Sequence, residues 1–347
     1  MHRFLKLIAK TAVGLLLLVA VTLAAFRFTA YFRETMPPES LVPANGRFVS
    51  TSYGKIHVSI WGNDQDPSVL MTHGMAAWGQ LWRDVAEDLA AKGYRVIALD
   101  QAPFGLSDNE NRDFSRSAQS ERLKQTLDGL GLDKVMLVGH SYGGGVTLET
   151  ALRYPDRVSG LVLVCPVTGL LGAPSNEPAA QEPLPFLLRA PFLVELGIAT
   201  SATNSLVTRP LMASFMHRKE MMADEQVAVI QAPFARKGMT SAMASWFTQF
   251  MAGDPLAKSA RRDLTSLNKV PTELIWGEMD SVTPIMQGED LASLMGIQKF
   301  TRMANIGHMP QLEDPAAFKS ALAAALGRLR SNSYSSWELR HEVASTR

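Results

Sequence analysis

The apolar positions of this chain follow one period at the N-terminus, another through most of the length, and lose both in a long middle block. From Thr11 to Phe26 the residues are uncharged and rich in Leu, Val and Ala, with Arg3, Lys6 and Lys10 before them and Arg27 and Arg33 after. That run is a little short of the ~20 residues a membrane span needs, but flanking Lys and Arg can snorkel and lengthen it, so a transmembrane helix is predicted within residues 1–35. A cleaved signal peptide is the alternative, with Thr22-Leu23-Ala24 as its small-residue cleavage site. Continuation of the apolar run through Ala25 and Phe26 to Phe28, Tyr31 and Phe32 favours an uncleaved anchor with an aromatic interface. More basic residues precede the span than follow it, which predicts a cytoplasmic N-terminus and a folded domain on the far side; secretion after cleavage is the alternative.

Residues 36–45, with Pro37-Pro38 and Pro43, read as a stiff linker. Phe48 to Gly62 alternates about a Tyr-Gly turn as a hairpin, with His57 on the strand surface. Then come strand-like runs at Val69–Thr72, Tyr94–Leu99, Val135–Val138 and Val158–Val164, separated by helical patterns at Trp78–Lys92, Ser117–Asp128 and Gly143–Tyr154. The rhythm breaks at Pro166, and residues 167–262 show helical patterns without a convincing strand. It resumes with a strand at Thr272–Gly277, a helix at Pro284–Met295, a strand at Gln298–Met303 and a last helix at Pro315–Leu329. Alternating strands and helices predict an α/β fold with a mostly parallel sheet and helices on both faces. Its core comprises 46–166 and 263–330, with a helical cap inserted at 167–262 and a mobile, Ser-rich tail at 331–347.

Composition narrows the function classes. The 347 residues are 46% hydrophobic with a formal net charge of +1. No basic stripe is interleaved with aromatics, so neither nucleic acid nor a polyanionic substrate is expected. The single cysteine, Cys165, falls in an apolar run as a buried small hydrophobe and cannot form an intrachain disulfide. No His or Cys pair has metal-ligand spacing, and Ser141 occupies the place where a dinucleotide loop needs its second glycine, so no metal or cofactor is expected.

The chemistry centres on Gly139-His140-Ser141-Tyr142-Gly143, directly after the run Val135–Val138. A Gly-x-Ser-x-Gly between a strand and a small-residue helix start is a nucleophile-elbow signature, in which a sharp turn lifts the serine hydroxyl above the sheet edge. Serine needs a base, and the base needs an orienting carboxylate, from loops at the carboxyl ends of other strands. Glu278 or Asp280 can supply the acid after the strand Thr272–Gly277, and His308 the base after the last strand.

The order Ser141, Asp280, His308 and the strand-terminal positions make the chain from about Gly46 to Leu329 resemble the α/β-hydrolase family with a cap. The resemblance implies Asp280 over Glu278, through the family's Gly-x-x-Asp pattern. It implies an oxyanion hole from the backbone N–H groups of Tyr142 and of Met75 in His73-Gly74-Met75. By the same likeness His73 props its loop, His140 flanks the elbow, His217 is a cap surface residue and Asp100 shapes a loop. That loop departs from the family pattern at Pro103.

Serine at the elbow argues against the dehalogenase and epoxide hydrolase branches, which need a carboxylate nucleophile, and leaves acyl transfer to water. The cap is apolar: Met212, Phe215 and Met216 recur at helical spacing, as do Met243, Trp246, Phe247, Phe250 and Met251. Met75, Phe215, Met216, Trp246 and Phe250 are candidates for substrate contact, although such stripes also serve core packing. With the anchor and the strings Leu163–Pro166 and Lys269–Gly277, the chain is most similar to membrane-anchored lipases or esterases such as the monoacylglycerol lipase-like group. The expectation is an esterase of apolar acyl substrates. A carbon–carbon hydrolase of the meta-cleavage-product type, with Arg189, Arg218 or Arg236 binding a carboxylate, is the alternative; a non-catalytic binding scaffold is a third.

Overall fold

Leucines and β-branched residues take opposite sides of the central sheet. Leu70, Leu137, Leu161, Leu163 and Leu274 belong to one buried layer, and Val69, Val138, Val162, Val164 and Ile275 to the other. This is the period-2 alternation of a sheet covered on both faces. The computed structural model describes residues 2–169, 186–253, 264, 267 and 270–345.

A long apolar helix, α1 (His2–Arg33), precedes the sheet. The hairpin β1 (Gly46–Thr51) and β2 (Gly54–Trp61) is followed by β3 (Ser68–Thr72), α2 (Arg83–Ala91), β4 (Arg95–Leu99), α3 (Arg116–Gly129), β5 (Val135–His140), α4 (Tyr142–Arg153) and β6 (Val158–Val164). The cap contributes α5 (Pro191–Thr200), α6 (Thr208–Ala213), α7 (Asp224–Gln231) and α8 (Met239–Met251). The core returns with β7 (Thr272–Gly277), the helix Ile285–Met295, β8 (Phe300–Met303) and a last helix, Pro315–Ser345. The sheet order is β1-β2-β4-β3-β5-β6-β7-β8, antiparallel where β2 meets β1 and β4 and parallel from there on. The leucine layer is roofed by α3, α4 and Ile285–Met295, the other by α2 and the last helix.

The core therefore follows the predicted rhythm. Residues 331–347 were expected as a mobile tail; the last helix runs through that boundary to Ser345. The helix expected from Trp78 begins as a 3-10 turn, Gly79–Trp82, because Asp100 Oδ1 takes the Gly79 N–H at 2.6 Å. The cap boundary at 262 lies outside the described residues. The linker is docked rather than free: Met36 N donates to Ala235 O at 2.9 Å, and Lys237 N to Met36 O at 3.0 Å. Beside it the Glu34 carboxylate accepts from the Thr240 backbone at 3.1 Å and from its hydroxyl.

His57 is not on the surface. It is fully buried, its Nδ1 2.9 Å from Asp100 Oδ2, because the segment after β4 folds back over that face of β2. Asp100 also accepts from Leu106 N at 2.8 Å and Ser107 Oγ donates to its carbonyl, so it organises the loop as expected; the Ala102–Pro103 peptide within it is cis.

Candidate active site

The elbow is assembled from close backbone approaches. Ser141 has φ 54° and ψ −122°, a conformation that costs a non-glycine residue about 1–3 kcal/mol and persists only when the surroundings enforce it. Here Ser141 N donates to Val164 O at 3.0 Å and Val167 N to Ser141 O at 2.8 Å, tying the turn to the end of β6. A Cβ on Gly143 would lie 2.5 Å from His73 O, and one on Gly139 2.2 Å from Thr147 Oγ1. The flanking glycines thus let the elbow press against the His73 loop and α4 begin without delay.

Ser141 Oγ lies 2.8 Å from His308 Nε2, and His308 Nδ1 lies 2.8 Å from Asp280 Oδ2. All three side chains are buried. Burial opposes ionisation of Asp280, but the hydrogen bond and charge of His308 and donors from Thr283 outweigh it, holding the carboxyl below its ordinary value. Its Oδ1 accepts from Val282 N and Thr283 N at 2.8 Å each, and Oδ2 from Thr283 Oγ1 at 2.8 Å. An ionised Asp280 keeps the hydrogen on Nδ1 and leaves the Nε2 lone pair for the Ser141 proton. Glu278, the rival acid, is exposed.

The other histidines fall into supporting positions. His73 Nε2 accepts from Gln101 N at 3.0 Å, and its Nδ1 meets Gly74 O at 2.7 Å, which props the loop carrying Met75. His140 Nε2 donates to the His308 carbonyl at 2.8 Å. Burial, reinforced by the charge of His308, pushes the His140 pKa down to about 3, so this ring is neutral. His217 is exposed.

Met75 lines a small chamber with Gly74, Ser141 and His308, and Tyr142 opens α4 immediately after Ser141. The positive end of α4 therefore faces the place where negative charge would develop on a bound carbonyl. Cys165 is fully buried, and its Sγ and the ligand atoms of Asp280 and His308 lie within 4.8 Å of one another. These three make a poor metal set: both His308 nitrogens are engaged, and burial pushes the thiol pKa well up.

The chamber shares Met75, Met212 and Phe215 with an apolar cavity of about 520 Å³ under the cap. Of the expected contacts, Met75, Phe215 and Trp246 line it. Met216 does not; it packs with Met222, Ile230 and Met309 in a separate cap core. Phe250 also stands off, stacked on Trp246 at 5.1 Å, because Met243, Trp246 and Phe247 already fill the cavity face of α8 at helical spacing. None of the three candidate arginines reaches the cavity. Arg189 is exposed, Arg218 pairs with Asp314 and Glu220, and Arg236 is buried donating to the carbonyls of Pro103 and Ser107.

Sequence reasoning missed three contributors. Thr283 braces Asp280. Glu313, fully buried, accepts from Gly307 N and Met309 N on either side of His308, and from His217 N and Arg218 N in the cap. Leu23 of α1 lines the cavity. The string Gly307-His308-x4-Glu313 was a visible signal for the second; only the fold could give the third.

Comparison with known proteins bears on the fold. Residues 67–315 match the α/β hydrolase fold family. The chain is 27% identical over 299 residues to haloalkane dehalogenase 2 of Mycobacterium tuberculosis, covering 84% of this chain and 98% of that protein. It is 29% identical over 270 residues to the 2-hydroxy-6-oxo-6-phenylhexa-2,4-dienoate hydrolase of Burkholderia cepacia, covering 76% and 88%. A crystal structure of a membrane phospholipase A, described as a bacterial virulence factor, superposes with a TM-score of 0.60 at 23% identity, covering 95% of this chain and 99% of that one, and shares the fold. The chain belongs to the α/β hydrolase fold family.

Proposed function

We propose that this protein is a membrane-anchored serine hydrolase of carboxylic esters with an apolar acyl group, such as a monoacylglycerol. The observation that carries the reading is the continuous hydrogen-bonded line from Ser141 through His308 to Asp280, beside a small chamber that shares Met75, Met212 and Phe215 with a cavity lined almost wholly by hydrocarbon. Ser141 Oγ attacks the ester carbon while His308 Nε2 takes its proton, and the N–H groups of Met75 and Tyr142 receive the oxyanion. His308 then passes that proton to the departing alcohol, leaving an acyl group on Ser141. Water repeats the sequence: His308 takes its proton, the acid leaves, and the proton returns to Ser141.

The alternatives fit the residues less well. Halide displacement of the carboxylate-nucleophile type lacks its carboxylate at position 141. A dienoate substrate brings a carboxylate, and among the described residues the cavity lining has no cationic side chain to meet it. Helix α1 is long and apolar enough to cross a bilayer. We take it as an uncleaved span with its N-terminus cytoplasmic; protease protection in vesicles of known sidedness tests this.

A fluorophosphonate probe should label the wild type and not Ser141→Ala. Equal labelling of both would refute the assignment. Esters and monoacylglycerols of increasing chain length should be cleaved with rising kcat/KM, and a preference for acetate would count against the acyl-chain reading.

A further inference from the structure

The wall of the acyl cavity is completed by the membrane helix. Leu23 of α1 lines it beside Leu193, Leu196 and Gly197 of α5, and α1 and α5 are extensively packed together. The face of α1 turned to the cap is narrow. Leu23, Phe26, Arg27 and Ala30 are covered at i, i+3, i+4 and i+7, while Phe28, Tyr31 and Phe32 are exposed. Arg27 Nε and Nη2 donate to Glu195 Oε2 at 3.0 and 2.9 Å, which fixes α5 against α1 at one level.

That level can be placed on the bilayer. Arg27 closes the uncharged run, so it marks the headgroup boundary of a spanning α1. Leu23 lies one turn, about 6 Å, deeper toward the hydrocarbon. Helix α5 is a short apolar helix with Phe192 64% and Leu193 39% exposed, and Leu206 in the turn after it is 78% exposed. Such a surface beside a spanning helix is suited to lie in lipid rather than water.

We propose that the cavity opens between α1 and α5 into the bilayer, and that a neutral ester with a single acyl chain enters there laterally, headgroup first, its tail trailing toward Leu23. The proposal rests on the ester-hydrolase reading above. Volume and lining select the substrate. A cavity of about 520 Å³ is within the usual range of about 300–1,000 Å³ for one small-molecule ligand. Among the described residues its lining carries no ionisable side chain, so a phosphodiester or ammonium headgroup passing through would be stripped of water without a partner there. A glycerol headgroup carries no such charge. Entry from lipid spares an acyl chain passage through water, where each exposed CH₂ costs about 0.8 kcal/mol.

The test uses the full chain in vesicles of dialkyl-ether phosphatidylcholine, which holds no ester of its own, with monoolein as membrane substrate and 4-nitrophenyl acetate as soluble substrate. Leu23→Trp and Leu193→Trp, which narrow the opening, should cut monoolein turnover about tenfold or more and acetate hydrolysis by a clearly smaller factor. Leu16→Trp, exposed on the same helix away from the cavity, should change neither. Wild-type monoolein turnover in Leu23→Trp, or equal loss on both substrates, would overturn the route. A second measurement needs no turnover. In Ser141→Ala, a monoacylglycerol with a diazirine near its tail terminus should crosslink to α1 around Leu23 and to α5, and Leu23→Trp should abolish it. Crosslinks confined to other segments would overturn the route even if ester hydrolysis is established, whereas crosslinks at Leu23 in a protein that cleaves no ester would overturn only the catalytic reading. Competition by lysophosphatidylcholine as strong as by monoolein would overturn the preference for a neutral headgroup.

Discussion

Glu313 grips His308 from both sides without touching its ring, accepting the Gly307 N–H on Oε2 at 2.9 Å and the Met309 N–H on Oε1 at 3.1 Å. Oε2 also takes the N–H groups of His217 and Arg218 at 2.9 Å each, so one buried carboxylate joins the proposed base to the cap. Glu313→Gln replaces one acceptor oxygen with an NH₂ group facing N–H donors. It should lower kcat by about 10–100-fold with little change in KM, because a displaced base affects the chemical step more than binding. Glu313→Ala should also destabilise the fold by about 3–5 kcal/mol, as buried donors lose a charged acceptor. Steady-state kinetics with thermal melts check both, and a change in KM alone would contradict the positioning role.

Asp280→Asn should keep the hydrogen-bonding shape but free the His308 tautomer that places its hydrogen on Nε2, facing Ser141. A fall in kcat of about 10⁴-fold is expected at neutral pH. The rate of fluorophosphonate labelling should fall in parallel; labelling at the wild-type rate would mean that His308 is not oriented by Asp280.

Acid should destabilise the protein well above the carboxylate range. The unfolded His140 imidazole titrates near about 6.5, whereas its folded pKa is pushed down to about 3 by burial and by His308. Between those values the unfolded chain holds a proton that the native state lacks. Stability is therefore full above about pH 6.5 and falls on acidification by up to about 1.4 kcal/mol per pH unit from this residue. His73, also pushed down by burial, acts in the same direction. Asp280, held below its ordinary value, adds a further loss only as pH falls below about 4. Denaturant titrations between pH 7.5 and 4.5 should show a shallower slope for His140→Gln than for wild type.

Gly143→Ala tests the elbow's close approach. The added Cβ would meet His73 O at 2.5 Å and Thr72 Oγ1 at 2.6 Å, atoms of a buried strand end that cannot give way cheaply. Overpacking of this kind costs about 1–3 kcal/mol, and it would push the Met75 loop from Ser141. The expected result is a lower melting temperature and a larger loss in kcat than in KM. Gly327→Ala, on the last helix away from the cavity and with nothing within 4 Å of the new Cβ, is the control.

The sheet and the site's central residues were legible because each lies where a period ends. Ser141, Asp280 and His308 follow strands whose alternation is plain in the chain, and the parallel rhythm brings those ends to one edge. His57 was misjudged because alternation separates two faces of β2 without saying which one a later loop covers; that cover depends on Asp100. The cap gave half its contacts, since helical spacing groups Phe215 with Met216 and Trp246 with Phe250, whereas only Phe215 and Trp246 line the cavity, Met216 being buried in the Met222–Met309 cluster and Phe250 stacked on Trp246. Glu313 binds backbone far along the chain, and Leu23 meets α5 across a similar distance. The bonds of Glu313 to His217 and Arg218 and the contact of Leu23 have no local signature, unlike the Gly307-His308-x4-Glu313 string.

The joint between cap and base limits how the enzyme can open. His308 N donates to Phe215 O in the cap at 3.1 Å, in addition to the Glu313 contacts with His217 and Arg218. Raising the cap as one rigid flap would tear these bonds and unseat His308 as it admitted substrate. Separation of α5 from α1 at the proposed entry would break none of these bonds, so loading by that route would leave His308 seated.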